Sequence, residues 1–229
     1  MNPTPESKFL LTAKALLMLL LGAGGMMLLF FLPAGTWAYW QAWVFLAVVL
    51  VPTFFLLIIL LLKDPETLQR RMKHKESDAE QRKIINFSGI VLSLAFILPG
   101  FDRRWGWSHL PVWLVIAADV VCLAGYLVFM LVLRENRFAS RVVEVEQGQR
   151  VISTGPCAIV RHPMYVGIML LYLACPLALG SLWALIPALG VIPVLVLRIR
   201  SEEKILVKDL PGYSEYLQKV KYRLLPGIW

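Results

Sequence analysis

Residues 164–197 read MYVGIMLLYLACPLALGSLWALIPALGVIPVLVL, 34 residues without a charge. As one straight helix they would span roughly 50 Å against a hydrocarbon core of about 30 Å, so a single pass through a bilayer does not fit. Pro176, Gly180, Ser181, Pro187 and Pro193 interrupt the stretch, and the Gly180-Ser181 pair near its middle suits a tight connection between two short arms. The stretch therefore reads as a hairpin. It returns Arg198-Ile199-Arg200-Ser201-Glu202-Glu203, which leaves it, to the level of Arg161-His162-Pro163-Met164-Tyr165, which enters it.

The rest of the chain agrees with a membrane setting. Hydrophobic residues make up 59% and charged residues only 17%, values of a polytopic membrane protein and not of a soluble domain. Apolar segments at about Phe9–Leu32, Trp40–Leu62, Ile84–Pro99 and Pro111–Leu133 each approach a spanning length. With the two hairpin arms they predict an all-α bundle of about six spans. Residues 1–133 hold the first four spans, with a polar connector at 63–83, and residues 134–229 hold the polar motifs.

Placing the N-terminus inside puts 21 of the 23 lysines and arginines on one side and leaves only Arg103 and Arg104 opposite. By the positive-inside bias both termini are expected in the cytoplasm, and the first apolar segment, longer than a cleaved leader, is expected to be retained. The net charge of +8 reads as this bias plus attraction to anionic membrane lipids. Without basic and aromatic residues interleaved outside the spans, nucleic acid is not an expected partner. Cys122 and Cys175 fall in spans and Cys157 in a loop, while His74, His109 and His162 fall in three separate loops, so neither a disulfide framework nor a metal site is expected. Asn86-Phe87-Ser88 matches a glycosylation sequon but lies at the cytoplasmic start of a span.

The connector mixes both signs and reads as a solvated or lipid-facing link, with a substrate-gating role as the alternative and Asp64-Pro65-Glu66 suited to start an interfacial helix. Asp119 lies within a span, where a carboxylate is costly unless paired or protonated, and reads as a helix-helix hydrogen bond or a neutral acid before a substrate contact. Between Arg134 and Val160, Asn136-Arg137-Phe138 leads toward Ser153-Thr154-Gly155-Pro156, a turn just before the first motif. In that motif Pro163 suits the first turn of a helix, whose free N–H groups favour an anion beside Arg161, although Arg161 also fits a plain positive-inside anchor. Arg198 and Glu202 stand at i and i+4, compatible with a local ion pair, while Glu203 has no such partner four residues back. The two adjacent acids are equally suited to hydroxyls or an ammonium group of a ligand.

Taken together, Gly155-Pro156, Arg161 to Tyr165, Arg198 with Glu202-Glu203-Lys204, and Gly212-Tyr213-Ser214-Glu215-Tyr216 resemble the isoprenylcysteine carboxyl methyltransferase family. The histidine-proline pair is shared with phospholipid methyltransferases and sterol reductases. Leu225-Pro226-Gly227-Ile228-Trp229 and Asp102-Arg103-Arg104-Trp105-Gly106-Trp107 resemble its bacterial members, which implies a bacterial inner membrane. The resemblance implies an S-adenosylmethionine-dependent enzyme that draws a lipophilic or prenylated substrate from the bilayer. It places Gly155, His162, Pro163, Tyr165, Glu202 and Glu203 at the cofactor. Arg161 and Arg198 become candidates for orienting a carboxylate. The family often carries Tyr where this chain has Cys157.

Methyl transfer to a carboxylate needs no general base, because the acceptor is already ionised at neutral pH. Alignment in a dry site then supplies the rate. An amine acceptor, as in a phospholipid N-methyltransferase, must first lose a proton and would require His162 as base. A sterol-type reductase would instead require a nicotinamide cofactor. A transporter predicts polar residues along the spans, whereas Asp119 is almost alone there.

Overall fold

The computed structural model describes residues 8–72, 79–136, 138, 145 and 148–229. His74 and the middle of the connector, Arg137 and most of the following loop lie outside the described residues. The architecture is all-helical, with no strand among the described residues.

Four helices are long and apolar enough to cross a membrane: α1 (Lys8–Ala34), α2 (Trp40–Lys63), α4 (Ala79–Trp105, the candidate span being Gln81–Trp105) and α5 (Val112–Glu135). Between α2 and α4 lies α3 (Pro65–Arg71). The hairpin follows as α6 (Pro163–Ala178), α7 (Leu185–Leu189) and α8 (Val191–Asp209), with α9 (Tyr213–Lys219) in the tail. This is an integral membrane protein.

The last two of the about six expected spans are the short arms of the hairpin. With 16 residues, α6 rises only about 24 Å, less than a hydrocarbon core. The turn falls where the sequence put it. Gly180 has φ +76°, open to glycine at little cost, and Ser181 N donates to Pro176 O (2.8 Å) while Gly180 N donates to Leu177 O (2.9 Å). The third span is longer than expected. It runs on to Trp105, so Asp102, Arg103 and Arg104 belong to its last turns and not to a loop.

At the turn end Asp102, 1% exposed, accepts from Ser108 N and Ser108 Oγ (2.7 Å each) and from Ser181 Oγ. The Tyr39 hydroxyl donates to Leu179 O (2.5 Å). Exposed Trp37, Trp40, Trp43, Trp105, Trp107, Trp113 and Trp183 lie on the helix ends and loops of this end, as tryptophans do at a membrane-water boundary.

Helices α5 and α6 make the closest approach. A Cβ on Gly125 would sit 2.6 Å from Gly167 O and one on Gly167 would sit 2.5 Å from Gly125 O, so neither position accepts a side chain. Asp119 is buried beside this seam, and neither carboxylate oxygen has a hydrogen-bond partner among the described residues. The expected helix-helix hydrogen bond is absent there.

Candidate active site

His162 caps α6 and Pro163 occupies its first turn. The segment is held from outside the helix, because Arg161 N donates to Tyr222 O (2.9 Å) and His162 N to Arg223 O (3.0 Å). The tail after α9 therefore fixes the backbone of the first motif. Upstream, Gly155 opens a short 3₁₀ turn (Gly155–Ala158) with φ +55°, and a Cβ there would lie 3.2 Å from the Glu135 carboxyl carbon. Thr154 Oγ1 also donates to Glu135, tying this turn to the end of α5.

The hairpin brings the two motifs together at this rim. Glu203 on α8 pairs with Arg161 (Nη1 to Oε1, 3.3 Å), His162 (Nε2 to Oε1, 3.3 Å) and Arg223 (Nε to Oε2, 2.8 Å). Burial pushes the Glu203 carboxyl upward, but hydrogen bonds to His162 and Arg223 and the charges of His162 and Arg161 outweigh it, and the net shift is downward. The anion expected beside Arg161 at the start of α6 is thus the protein's own. Arg161 has a second contact, Nη2 to Lys221 O (3.2 Å).

Glu202 takes a different partner. The Tyr165 hydroxyl donates to Glu202 Oε2 (2.6 Å) and accepts from Arg198 Nε (2.8 Å), standing between the i, i+4 pair. The His162 and Tyr165 rings stack with centroids 5.7 Å apart.

A cavity of about 150 Å³ opens against these groups, lined by Arg161, His162, Pro163, Met164, Tyr165, Arg198, Glu202, Cys157, Tyr213 and Tyr216. Glu203 stands behind this wall and Gly155 lies two residues from it; neither is a lining residue. Two donors on residues that line the cavity, Arg161 Nε and the Tyr213 hydroxyl, are themselves buried and without a hydrogen-bond partner among the described residues. Burial, and then the charges of Glu203 and Glu202, push the Tyr213 phenol above the usual tyrosine range, which keeps it a neutral donor. The Cys157 thiol is pushed up to about 11 by burial and Glu135. The Cys157 carbonyl accepts from the Tyr216 hydroxyl (2.7 Å), so an aromatic from α9 reaches the turn at Cys157.

Arg223, Tyr213 and Tyr216 carry no separate role in the sequence reading. The tail tyrosines stand out only as part of the motif pattern. Arg223 has no local signal, since its place depends on the backbone pairing of residues 161–162 with 222–223.

The class defined by fold and site is an integral membrane protein with a polar cavity at one rim of its helical bundle. Residues 113–211, from α5 to the end of α8, match the phospholipid methyltransferase family, which points to a membrane methyltransferase. A curated Delta(14)-sterol reductase from Methylotuvimicrobium alcaliphilum is 28% identical over 138 residues, 52% of this chain. The match spans about a third (32%) of that protein's length.

Proposed function

We propose that this protein is an S-adenosylmethionine-dependent membrane methyltransferase. Its acceptor is the carboxylate of an isoprenylcysteine-like or other lipophilic acid, reached from the cytoplasmic face of a bacterial inner membrane. The observation that carries this reading is a junction of two cavities. The polar cavity shares Met164, Tyr165 and Arg198 with an apolar one of about 450 Å³ between α4, α6 and α8.

The side chains present suit the amino-acid end of the cofactor. Arg161 and Tyr213, each with an unpartnered buried donor behind the cavity wall, suit a carboxylate, and Glu202 supplies a negative charge for an ammonium. The described cavity is smaller than the about 300 Å³ at which whole small-molecule sites begin, and so matches a part of such a ligand. His162, Pro163 and Tyr165 wall it, Gly155 shapes the adjoining loop, and Glu203 holds Arg161 and His162 in place. When bound, S-adenosylmethionine supplies the methyl group.

Arg198, bonded to the Tyr165 hydroxyl, orients the acceptor carboxylate where the two cavities meet. Arg161, anchored on Glu203, adds positive potential at the same wall. No side chain has to remove a proton, because a carboxylate is ionised at neutral pH.

The family match favours a second reading, a phospholipid amine N-methyltransferase. That acceptor needs a base, and Nε2 of His162 is engaged by Glu203. Purified protein supplied with labelled S-adenosylmethionine and, side by side, a prenylcysteine and phosphatidylethanolamine separates the two. Labelled ester is the expected product. NADPH affinity without affinity for the methyl donor would replace both readings with a reductase.

A further inference from the structure

The stretch between α2 and α4 reads as a solvated or lipid-facing link with a helix start at Asp64-Pro65-Glu66; the helix forms there as α3, and its inner face is packed. Asp64 caps α3, accepting from Thr67 N (3.2 Å) and Thr67 Oγ1 (2.8 Å). Thr67 is fully buried and Leu68 is buried with Leu11, Ala15 and Leu57 of α1 and α2. This fixes the direction of the last residue of α3. Arg71 turns under the bundle, its guanidinium 4.9 Å from the Phe129 ring centroid and Nη1 3.6 Å from Met164 Sδ. Met164 is also a wall of the polar cavity.

Arg71 lines the apolar cavity between α4, α6 and α8. Its walls are otherwise mostly aliphatic, with Ile85, Leu92, Ile168 and Leu195 among them, while Arg198 and Tyr165 supply polar lining. Two guanidinium side chains, from distant parts of the chain, therefore border one apolar space of the size of a small-molecule site. Tyr165 links Arg198 to Glu202. On its other side Arg71 also borders a second cavity of about 450 Å³, lined from α1, α2, α3 and α5.

We propose that Arg71 and Arg198 form an anion site for the head of a single-chain lipid whose tail lies between α4, α6 and α8. Guanidinium groups suit a planar or tetrahedral oxyanion, so the shared chemistry is a carboxylate or a phosphate on an apolar tail. The site deepens the methyltransferase reading and rests on it for its purpose, since a head held there adjoins Tyr165 and the polar cavity. Binding of the lipid can be measured without the methyl donor.

The test uses the full chain in phosphatidylcholine nanodiscs, with labelled palmitate, lysophosphatidic acid and the neutral methyl palmitate as probes. Wild type is expected to prefer at least one anionic probe by about tenfold, the scale of one charge-assisted hydrogen bond. Arg71→Met should abolish that preference, Arg71→Lys should keep most of it, and S-adenosylmethionine affinity should stay within about twofold in both. The anionic probe that binds tighter identifies the head group. Wild type without a preference, or Arg71→Met retaining it, overturns the proposal. If Arg71→Met does not fold, a diazirine-bearing palmitate on wild type decides. Label on α4, α6 or α8 supports the site, and label on α1 or α2 assigns the lipid to the other cavity and overturns it. Loss of methyl-donor binding in wild type would instead sink the methyltransferase reading and leave the lipid result standing.

Discussion

Each end of the α6–α8 hairpin is closed around one buried carboxylate, and the two are built on opposite terms. At the turn, Asp102 is met by neutral donors, Ser108 N, Ser108 Oγ and Ser181 Oγ, with both oxygens engaged. The serines are shared onward, Ser181 Oγ accepting from Ala184 N (3.2 Å) and Ser108 Oγ from Leu182 N (3.0 Å). At the rim, Glu203 is met by Arg161, His162 and Arg223, while Arg161 Nε and the Tyr213 hydroxyl, on residues that line a cavity, have no hydrogen-bond partner among the described residues. A satisfied neutral cluster fixes a turn. A charged cluster beside a cavity, with unpartnered donors, fits the proposed ligand site.

Glu203→Gln is the strongest way to break this contrast. It keeps shape but leaves three basic side chains without their shared counter-charge, at a cost of about 3 kcal/mol by the scale of broken buried pairs. Affinity for S-adenosylmethionine should fall by more than about tenfold, measured by calorimetry on protein shown to be folded. The acid dependence should also change. Because the folded carboxyl is shifted downward, its stabilisation is complete above the ordinary value of 4.5 and is lost as pH falls from there through the folded value. Melting of wild type should show this loss below about pH 4.5, and Glu203→Gln should lack that share.

Asp102→Ala should come next, and at the other end. It strips an acceptor from Ser108 and Ser181 and should lower stability by about 2 kcal/mol, the usual cost of stranded buried donors. Methyl-donor affinity of the folded remainder should stay within about twofold, read by thermal melting and calorimetry on the same sample. A large loss of affinity would show that the ends are coupled through the hairpin and would erase the contrast.

What the sequence made legible follows the same division. The uncharged length of residues 164–197 and the Gly180-Ser181 pair forecast the hairpin, because span length and turn chemistry are local properties. The meeting of His162 with Glu203 followed from the hairpin alone. Arg223 did not follow, because it arrives by a backbone pairing between segments some sixty residues apart, for which no periodicity exists. The packed half of the connector was missed for a related reason. Its mixed charges describe the surface of α3, whereas Thr67 and Leu68 are buried by packing whose partners include α1, distant in sequence.

Tyr213→Phe sharpens the contrast on a smaller scale. The hydroxyl has no partner among the described residues, so its removal should not lower the melting temperature. If it serves a ligand carboxylate, methyl-donor affinity should drop by about fivefold, close to 1 kcal/mol for one hydrogen bond. Lower stability with unchanged affinity would make the phenol structural and move the rim cluster toward the turn cluster in kind.

Asp119→Asn should do least, and the reason lies in its position between the two clusters. Asp119 is 4% exposed on α5, its oxygens have no hydrogen-bond partner among the described residues, and it lines neither the polar cavity nor the two apolar ones bordered by Arg71. A side chain that neither closes a turn nor faces a cavity has nothing to lose on becoming an isosteric amide. Melting temperature and methyl transfer should both stay at wild-type level, within about 0.5 kcal/mol on each scale. A loss of activity at unchanged stability would show that the substrate reaches this depth of the bundle. The apolar cavity between α4, α6 and α8 would then be only the entrance to a longer path along α5.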